Sequence, residues 1–139
     1  DHIKICRKSK LIEKYTVTTA NVHDSQALEE LIDETNSYHK LYGDSAYDGK
    51  SANEFLDNIS VKHLFNEKGA RYTKLTTEQI ESNRKKSKIR ARVEYVFGYI
   101  EKSMNGCYIY TIGIERAKAV IGLINLTYNL NRYIQLVRT

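Results

Sequence analysis

Strand-like and helix-like segments alternate along the chain from about residue 20 to residue 65, and no other feature restricts its fold as strongly. The predicted elements are a helix from Asp24 or Ser25 to near Asn36, a strand carrying Asp44, a short helix over 52–59 and a strand over 61–65. The strand pattern that carries Asp44 ends at a turn formed by Asp48 and Gly49. This alternation predicts an α/β domain.

The segments on either side extend the predicted fold. Residues 2–6 and 11–19 are rich in β-forming residues around a turn-like RKSK, which predicts an antiparallel hairpin. Residues 66–82 are polar and turn-rich. A long helix over about 77–103 is predicted from one apolar stripe, formed by Ile89, Val93, Val96, Phe97 and Ile100. We expect a last helix, about 115–137, to be packed on two sides, because it is apolar except for a strip of Lys118, Asn125, Asn129 and Arg132.

Length and composition set the class of protein. The 139 residues suit one domain, and the formal net charge of +5 is typical of a protein that binds a polyanion. No apolar run approaches the roughly 20 residues that span a bilayer, and the first residues lack the apolar core of a signal peptide. We therefore expect a cytoplasmic protein without a membrane partner. Cys6 and Cys107 are expected to be free thiols.

A basic run that ends in an acid indicates the chemistry. Six of the nine residues from Arg84 to Arg92 are basic, and Glu94 closes the run. A metal-dependent enzyme that acts on a phosphodiester needs a carboxylate within a phosphate-binding surface, so the pattern favours nucleic-acid chemistry. A solvated helix face, or a patch that binds RNA or a membrane, is the alternative interpretation. The side chains predicted to bind DNA are Arg84, Lys85, Lys86, Lys88, Arg90, Arg92 and Lys102.

Asp44 and Glu94 are the candidate metal ligands and catalytic acids. Magnesium prefers oxygen ligands and takes one or two carboxylates from each protein element, and an Asp on a strand and a Glu on a neighbouring helix can supply them. Asp44 could instead be an ordinary acid at a strand end, and Glu94 could simply pair with Arg90 four residues earlier. We interpret His23 and Asp24 as a helix cap rather than an acid/base pair.

Several segments together resemble bacterial insertion-sequence DDE transposases. The matching segments, in the family's order, are YTVTTANVHDS (15–25), YGDSAYDG (42–49), NEKG (66–69), SNRKKSKIRARVEYVFG (82–98) and GIERAKAVIGLINLTYNLNRY (113–133). The resemblance implies an RNase H-like mixed sheet flanked by helices, Mg²⁺ or Mn²⁺ as cofactor, and double-stranded DNA as partner, with a homo-oligomer possible. It further implies that Asp44 is the second catalytic acid and Glu94 the third, and that Arg90 contacts a DNA phosphate.

The departures from the family pattern define a second hypothesis. The family's first catalytic Asp lies on a strand before the hairpin, so we expect residues 1–139 to be an N-terminally truncated, partial catalytic domain. Ser87 stands where the signature has tyrosine, and Glu101, with Lys102 beside it, stands where the signature has lysine. The alternative to an active transposase is a catalytically inactive DNA-binding remnant. Another RNase H-like nuclease, such as a resolvase, would not explain the match in the last helix.

Overall fold

The computed structural model describes residues 1–69, 74–106 and 108–138. Its elements are β1 (His2–Ile5), β2 (Ile12–Thr16), α1 (Asp24–Leu31), β3 (Lys40–Gly43), α2 (Lys50–Asn58), β4 (Lys62–Phe65), α3 (Thr77–Met104) and α4 (Ile114–Val137). They form two compact units. The hairpin unit comprises Asp1–Asn21 and the chain from Arg92 onward, and the parallel-strand unit comprises Val22–Ala91. The predicted mixture of helices and strands is confirmed, with two small sheets.

The parallel-strand unit is built around the pairing of β3 with β4. The strands run parallel, with Lys40 opposite Lys62 and Gly43 opposite Phe65, and α2 connects them. This confirms the strand and helix alternation predicted for residues 20–65. Burial of apolar side chains from α1, α2 and β4 is the main stabilising term of the unit. Its buried core consists of Leu28, Leu31, Ile32, Ala52, Leu56, Val61 and Phe65.

The first helix ends earlier than predicted, and His23 is its N-cap. Helix α1 ends at Leu31 rather than near Asn36, because Asp33 starts a separate 3-10 turn over Glu34–Asn36. The Asp33 carboxylate accepts a hydrogen bond from the backbone N–H of Thr35 at 3.0 Å. At the other end, the N-cap is His23, whose Nδ1 accepts a hydrogen bond from the backbone N–H of Ser25 at 3.4 Å. The proposed capping role of the His23–Asp24 pair is thus confirmed for the histidine.

The hairpin unit packs β1 and β2 against parts of α3 and α4. The two strands are antiparallel, with His2 opposite Thr16, and their register shifts between Lys4 and Ile5. This confirms the predicted hairpin. Val96 and Ile100 of α3 contribute to the core of this unit, together with Ile12 and Tyr128. Phe97, which belongs to the predicted apolar stripe, is 38% exposed and is not part of this core.

Helix α4 packs against the hairpin through hydrogen bonds from its polar strip. The polar strip faces the hairpin: Asn129 accepts from the backbone N–H of Ile12 and donates to its carbonyl, both at 2.8 Å. Tyr128 donates to the Lys10 carbonyl at 2.9 Å, and Arg132 donates to the Ser9 carbonyl at 2.8 Å. These side chains form hydrogen bonds with backbone groups of the turn and of β2. Such groups need hydrogen-bond partners when the helix shields them from water.

The apolar side of α4 is correspondingly exposed, so the expectation of packing on two sides does not hold for the described chain. Its exposed side chains are Leu123, Leu126, Leu130, Tyr133, Ile134, Leu136 and Val137. They recur at intervals of three and four residues and form a continuous stripe. None of the helices in the described ranges has the length and apolarity that a membrane crossing requires.

Cys6 is a free thiol, as predicted. Hydrogen bonding from the Ser9 hydroxyl lowers the pKa of the Cys6 thiol. The prediction for Cys107 lies outside the described residues.

The paired hydrogen bonds of Asn129 give a first testable prediction. Asn129→Asp removes the donor to the Ile12 carbonyl and places a carboxylate oxygen beside it. We expect the free energy of unfolding to fall by about 1–3 kcal/mol. Urea unfolding followed by circular dichroism at neutral pH measures the change. The control is Asn131→Asp on the same helix, for which we expect less than about 0.5 kcal/mol. Equal losses in the two variants would contradict the assigned role of Asn129.

Candidate active site

Asp44 lies directly after the carboxyl end of β3, one residue beyond the strand that was predicted to carry it. Its Oδ1 accepts a hydrogen bond from the backbone N–H of Ser45 at 2.6 Å, which caps a 3-10 turn over Ser45–Tyr47. The carboxylate is therefore held by its own backbone while its side chain stays 49% exposed. In sheets with parallel strands, ligands bind outside the carboxyl ends of the strands, where Asp44 lies.

Gly43 allows β3 to pass close to the core beside Asp44. A Cβ atom at this position would lie 2.8 Å from Cε1 of the buried Phe65 side chain. Phe65 also lies near Tyr47, with 6.5 Å between the ring centroids. Any larger side chain at residue 43 would therefore have to move the aromatic pair that supports the turn after Asp44.

Arg90 of α3 forms an ion pair with Asp44. Its Nη1 lies 2.7 Å from Asp44 Oδ2, and the arginine side chain is 29% exposed. The geometry is that of a charge-assisted hydrogen bond, which is stronger than a bond between neutral groups. Together with the bond from Ser45, this contact engages both oxygens of the carboxylate.

Tyr47 adds a neutral hydroxyl close to this acid. Burial raises the pKa of the Tyr47 phenol, and the negative charges of Asp24 and Asp44 raise it further. The phenol is therefore protonated at neutral pH, so Tyr47 does not add a negative charge beside Asp44.

The segment after β4 is fastened to α3 by side chains on one face of the helix. Lys86 donates to the Phe65 carbonyl at 2.9 Å, and Asn83 exchanges two hydrogen bonds with the backbone of Glu67, at 2.9 and 3.0 Å. Asn66 donates to the Ser87 hydroxyl at 3.1 Å. Because β3 and β4 are parallel, these contacts lie at the same edge of the sheet as Asp44. They fix the turn of α3 that precedes Arg90.

The predicted basic side chains divide by exposure. Four of them, Arg84, Lys85, Lys88 and Lys102, are exposed, and three, Lys86, Arg90 and Arg92, are half-buried. Lys86 is used inside the protein, where it also forms an ion pair with Glu67 at 3.4 Å. Lys85 pairs with Glu81 at 2.9 Å on the helix surface. Arg84 and Lys88 are thus the exposed basic residues of the run for which the structure offers the least competition from acids.

A groove next to the basic run carries charges of both signs. Its volume is about 370 Å³, and it lies between the two strands and the first turns of α3. The lining residues are Tyr42, Leu64, Glu78, Glu81, Ser82, Lys85, Lys86 and Ile89. The two glutamates offset the positive charge of Lys85 and Lys86 in the groove, so the groove is poorly suited to a polyanion.

Glu94 is exposed on α3 and belongs to the hairpin unit, whereas Asp44 and Arg90 belong to the parallel-strand unit. Each acid is thus placed within its own unit. In the described part of the chain, no three His, Cys, Asp or Glu side chains cluster in a way that could hold a metal ion.

Comparison with known proteins decides the family. A family model described as a transposase DDE domain matches residues 2–130 of the chain. The chain belongs to this family. A curated relative, the transposase for insertion sequence element IS1106 from Neisseria meningitidis serogroup B, is 27% identical over 118 residues. The aligned region covers 85% of this chain and 41% of that transposase, so the chain spans less than half of the relative's length. No solved structure gives a significant match.

The structure gives a role to Ser87, the residue expected to replace the signature tyrosine. Ser87 accepts the hydrogen bond from Asn66 and so helps to hold the segment after β4. Asp48 accepts a hydrogen bond from Asn53 at 2.8 Å and so supports the turn that was predicted for it.

The sequence-based prediction missed two features of the transposase DDE domain described here. It paired Arg90 with Glu94 as the simple alternative and did not anticipate the contact with Asp44, because no local pattern links residues 46 positions apart. It also treated Lys86 as a DNA-binding residue only. A signal was available for the second feature: Asn83, Ser87 and Arg90 recur at helical spacing and form a polar row that points to a polar partner.

Proposed function

We propose that this chain is part of the catalytic domain of a DNA transposase that cleaves DNA strands and transfers them in a metal-dependent reaction. The observation that carries the proposal is the match of the transposase DDE domain to residues 2–130. We further propose that residues 1–139 form one partial domain of RNase H-like fold, completed by a preceding strand that bears another acid. The parallel β3–β4 pair joined by α2 is compatible with that fold.

Asp44 and Glu94 are proposed to contribute the carboxylates that bind Mg²⁺ or Mn²⁺. When bound, such ions would activate the attacking oxygen and stabilise the leaving one. Asp44 fits a metal ligand in its chemistry: it is a half-exposed carboxylate at a strand end that already accepts a cationic group on Oδ2. The bond from Ser45 to Oδ1 holds the carboxylate in one orientation. Glu94 is exposed and therefore accessible to an ion and to solvent.

The exposed basic side chains of α3 are proposed to bind the DNA backbone. Arg84 and Lys88 lie four residues apart on the helix, which places them on one face, and both are exposed. Lys85, Arg92 and Lys102 would add to the same electrostatic attraction. Lys86 would contribute less, because its ammonium group is bound to the Phe65 carbonyl and to Glu67.

Nicking of supercoiled DNA tests the proposed function. The assay compares this polypeptide with a full-length version that includes the preceding strand, each with Mg²⁺ and with a chelator. We expect the full-length version to give nicked products with 3′ hydroxyl ends only when Mg²⁺ is present. Binding of DNA without any metal-dependent nicking by the full-length version would instead support the inactive remnant.

Salt dependence tests the proposed DNA-binding face. Each lost phosphate contact reduces the slope of log K against log salt concentration by about 0.9. We expect the double substitution of Arg84 and Lys88 by glutamine to make the slope shallower by about 1.8, weakening all sequences alike. The control is Lys62→Gln, an exposed lysine at the amino end of β4, which should leave the slope unchanged. Fluorescence anisotropy with a labelled duplex measures both, and equal slopes in the three proteins would contradict the assignment.

A further inference from the structure

The contact between Arg90 and Asp44 occupies the oxygen that a metal ion would need. Arg90 Nη1 lies 2.7 Å from Asp44 Oδ2, and Oδ1 already accepts the backbone N–H of Ser45 at 2.6 Å. A divalent cation bound at Oδ2 would meet a guanidinium of like charge at the same atom. Repulsion between the two positive charges would weaken the binding of each at that oxygen. Cation binding at Asp44 is therefore favoured when Arg90 moves away.

The ion pair holds the Arg90 side chain at Asp44, and its partial exposure allows another anion to replace the carboxylate. Both side chains are partly exposed, Arg90 by 29% and Asp44 by 49%, so water screens their attraction. The backbone around them is better fixed. Lys86 and Ser87, one turn earlier on α3, are bound to Phe65 and Asn66 at the carboxyl end of β4. The contacts of Lys86 and Ser87 thus fix the helix backbone near Asp44. The Arg90 side chain, in contrast, can still exchange its ion-pair partner.

The alternative partner of the guanidinium is defined by its chemistry. Arginine binds phosphate oxygens through the same planar set of N–H donors that it offers to a carboxylate. The exposed basic residues Arg84 and Lys88 lie six and two residues earlier on the same helix, and their positive charge adds to the attraction of a phosphodiester to α3. A phosphate that binds Arg90 would therefore free Oδ2 of Asp44.

We propose that Arg90 is a positioning residue that holds Asp44 while no cation is bound and releases it when the guanidinium binds a DNA phosphate. This inference rests on the proposed function of Asp44 as a metal ligand. It adds the condition that Asp44 becomes available to a cation when Arg90 binds phosphate. Because coupling between two binding sites is reciprocal, phosphate and divalent cation should each strengthen the binding of the other. The acid would thus accept its cation mainly in the presence of DNA.

Manganese titration of the ¹⁵N-labelled chain tests the proposal without measuring catalysis. Bound Mn²⁺ broadens nearby amide signals, and the readout is the Ser45 amide, next to Asp44. We expect Arg90→Gln to lower the Mn²⁺ concentration at half-broadening by about 5- to 10-fold, at the low end of the range typical of coupled sites. Arg90→Lys keeps the charge and should stay closer to the wild type. Lys62→Gln, a charge removed at the far end of β4, should stay within about twofold.

Dimethyl phosphate, a small phosphodiester, tests whether Arg90 couples phosphate binding to cation binding or only forms a structural ion pair with Asp44. In excess, it should lower the half-broadening concentration of the wild type and leave that of Arg90→Gln unchanged. If Arg90→Gln binds Mn²⁺ no more tightly than the wild type, while Asp44→Asn abolishes the broadening, the proposal for Arg90 is wrong and the metal role of Asp44 stands. If the broadening survives in Asp44→Asn, both are overturned.

Discussion

Replacing Asp44 by asparagine in a full-length transposase that contains this segment is expected to reduce strand transfer by about 10³-fold or more. Asparagine has nearly the same shape and keeps an oxygen that can accept the Ser45 N–H, so the turn after β3 should persist. What it loses is the negative charge that a divalent cation requires. The measurement is joining of a labelled element end to target DNA in the presence of Mg²⁺.

DNA binding provides the internal control for this variant. Because Asp44 is an acid, its neutralisation removes no attraction for phosphate, and it frees Arg90 from its ion pair. We expect the affinity for a duplex to stay within about threefold of the wild type, or to rise. The matched control is Asp48→Asn, whose carboxylate accepts a hydrogen bond from Asn53 and is assigned to a turn. Strand transfer that survives in Asp44→Asn would refute the metal role.

Glu94→Gln should cause a loss of the same order, since the proposal gives the two acids equivalent roles. Glu101 offers a matched control, because it is also an exposed glutamate of α3. A loss in Glu94→Gln that Glu101→Gln reproduces would indicate an effect of surface charge instead of metal binding.

Elements of the fold that depend on residues close together in sequence were predictable, and those that depend on a single side chain or on residues far apart in sequence were not. The hairpin, the parallel strands and the two long helices follow from local periodicity, and their positions were anticipated to within a few residues. The early end of α1 depends on Asp33, a single side chain that starts a new turn. Caps of this kind compete closely with helix continuation, so a residue pattern alone does not decide between them.

The orientation of α4 shows a different limit. Its periodicity correctly indicated a helix with one polar strip, but not which side faces the protein. The turn between β1 and β2 presents carbonyl groups that need donors, and Asn129, Tyr128 and Arg132 supply them. Buried backbone groups can thus make a polar face the packed face. The apolar pattern of a sequence reflects only the free energy of transferring side chains from water. It therefore predicts that the apolar face of α4 is packed, whereas the structure packs the polar one.

The candidate site shows the same division between local and distant information. Asp44 was identified from its motif, and its position at a strand end follows from the strand and turn pattern around it. Its contact with Arg90 joins two segments far apart in sequence and depends on how α3 is fastened to the segment after β4. The partner of the acid therefore had to come from the structure.

Leu56→Ala is expected to cause the largest loss of stability in the parallel-strand unit. Leu56 of α2 has no exposed surface and lies in the core cluster with Phe65. Truncation removes buried methyl groups and leaves a cavity, which costs about 2–5 kcal/mol. The effect should reach the candidate site, because Phe65 supports both Gly43 and the turn after Asp44. Hydrogen exchange of the β3 and β4 amides measures the local loss, and urea unfolding measures the total.

Leu126→Ala is the matched control, since it makes the same chemical change on the exposed side of α4. Leu126 is 54% exposed, so its removal from the folded chain should cost less than about 0.5 kcal/mol. The contrast tests the assignment of the two helix faces directly. If the apolar side of α4 were the packed one in solution, Leu126→Ala would destabilise the chain about as much as Leu56→Ala. A small effect at Leu126 would instead support the assignment of the apolar side of α4 as its exposed face.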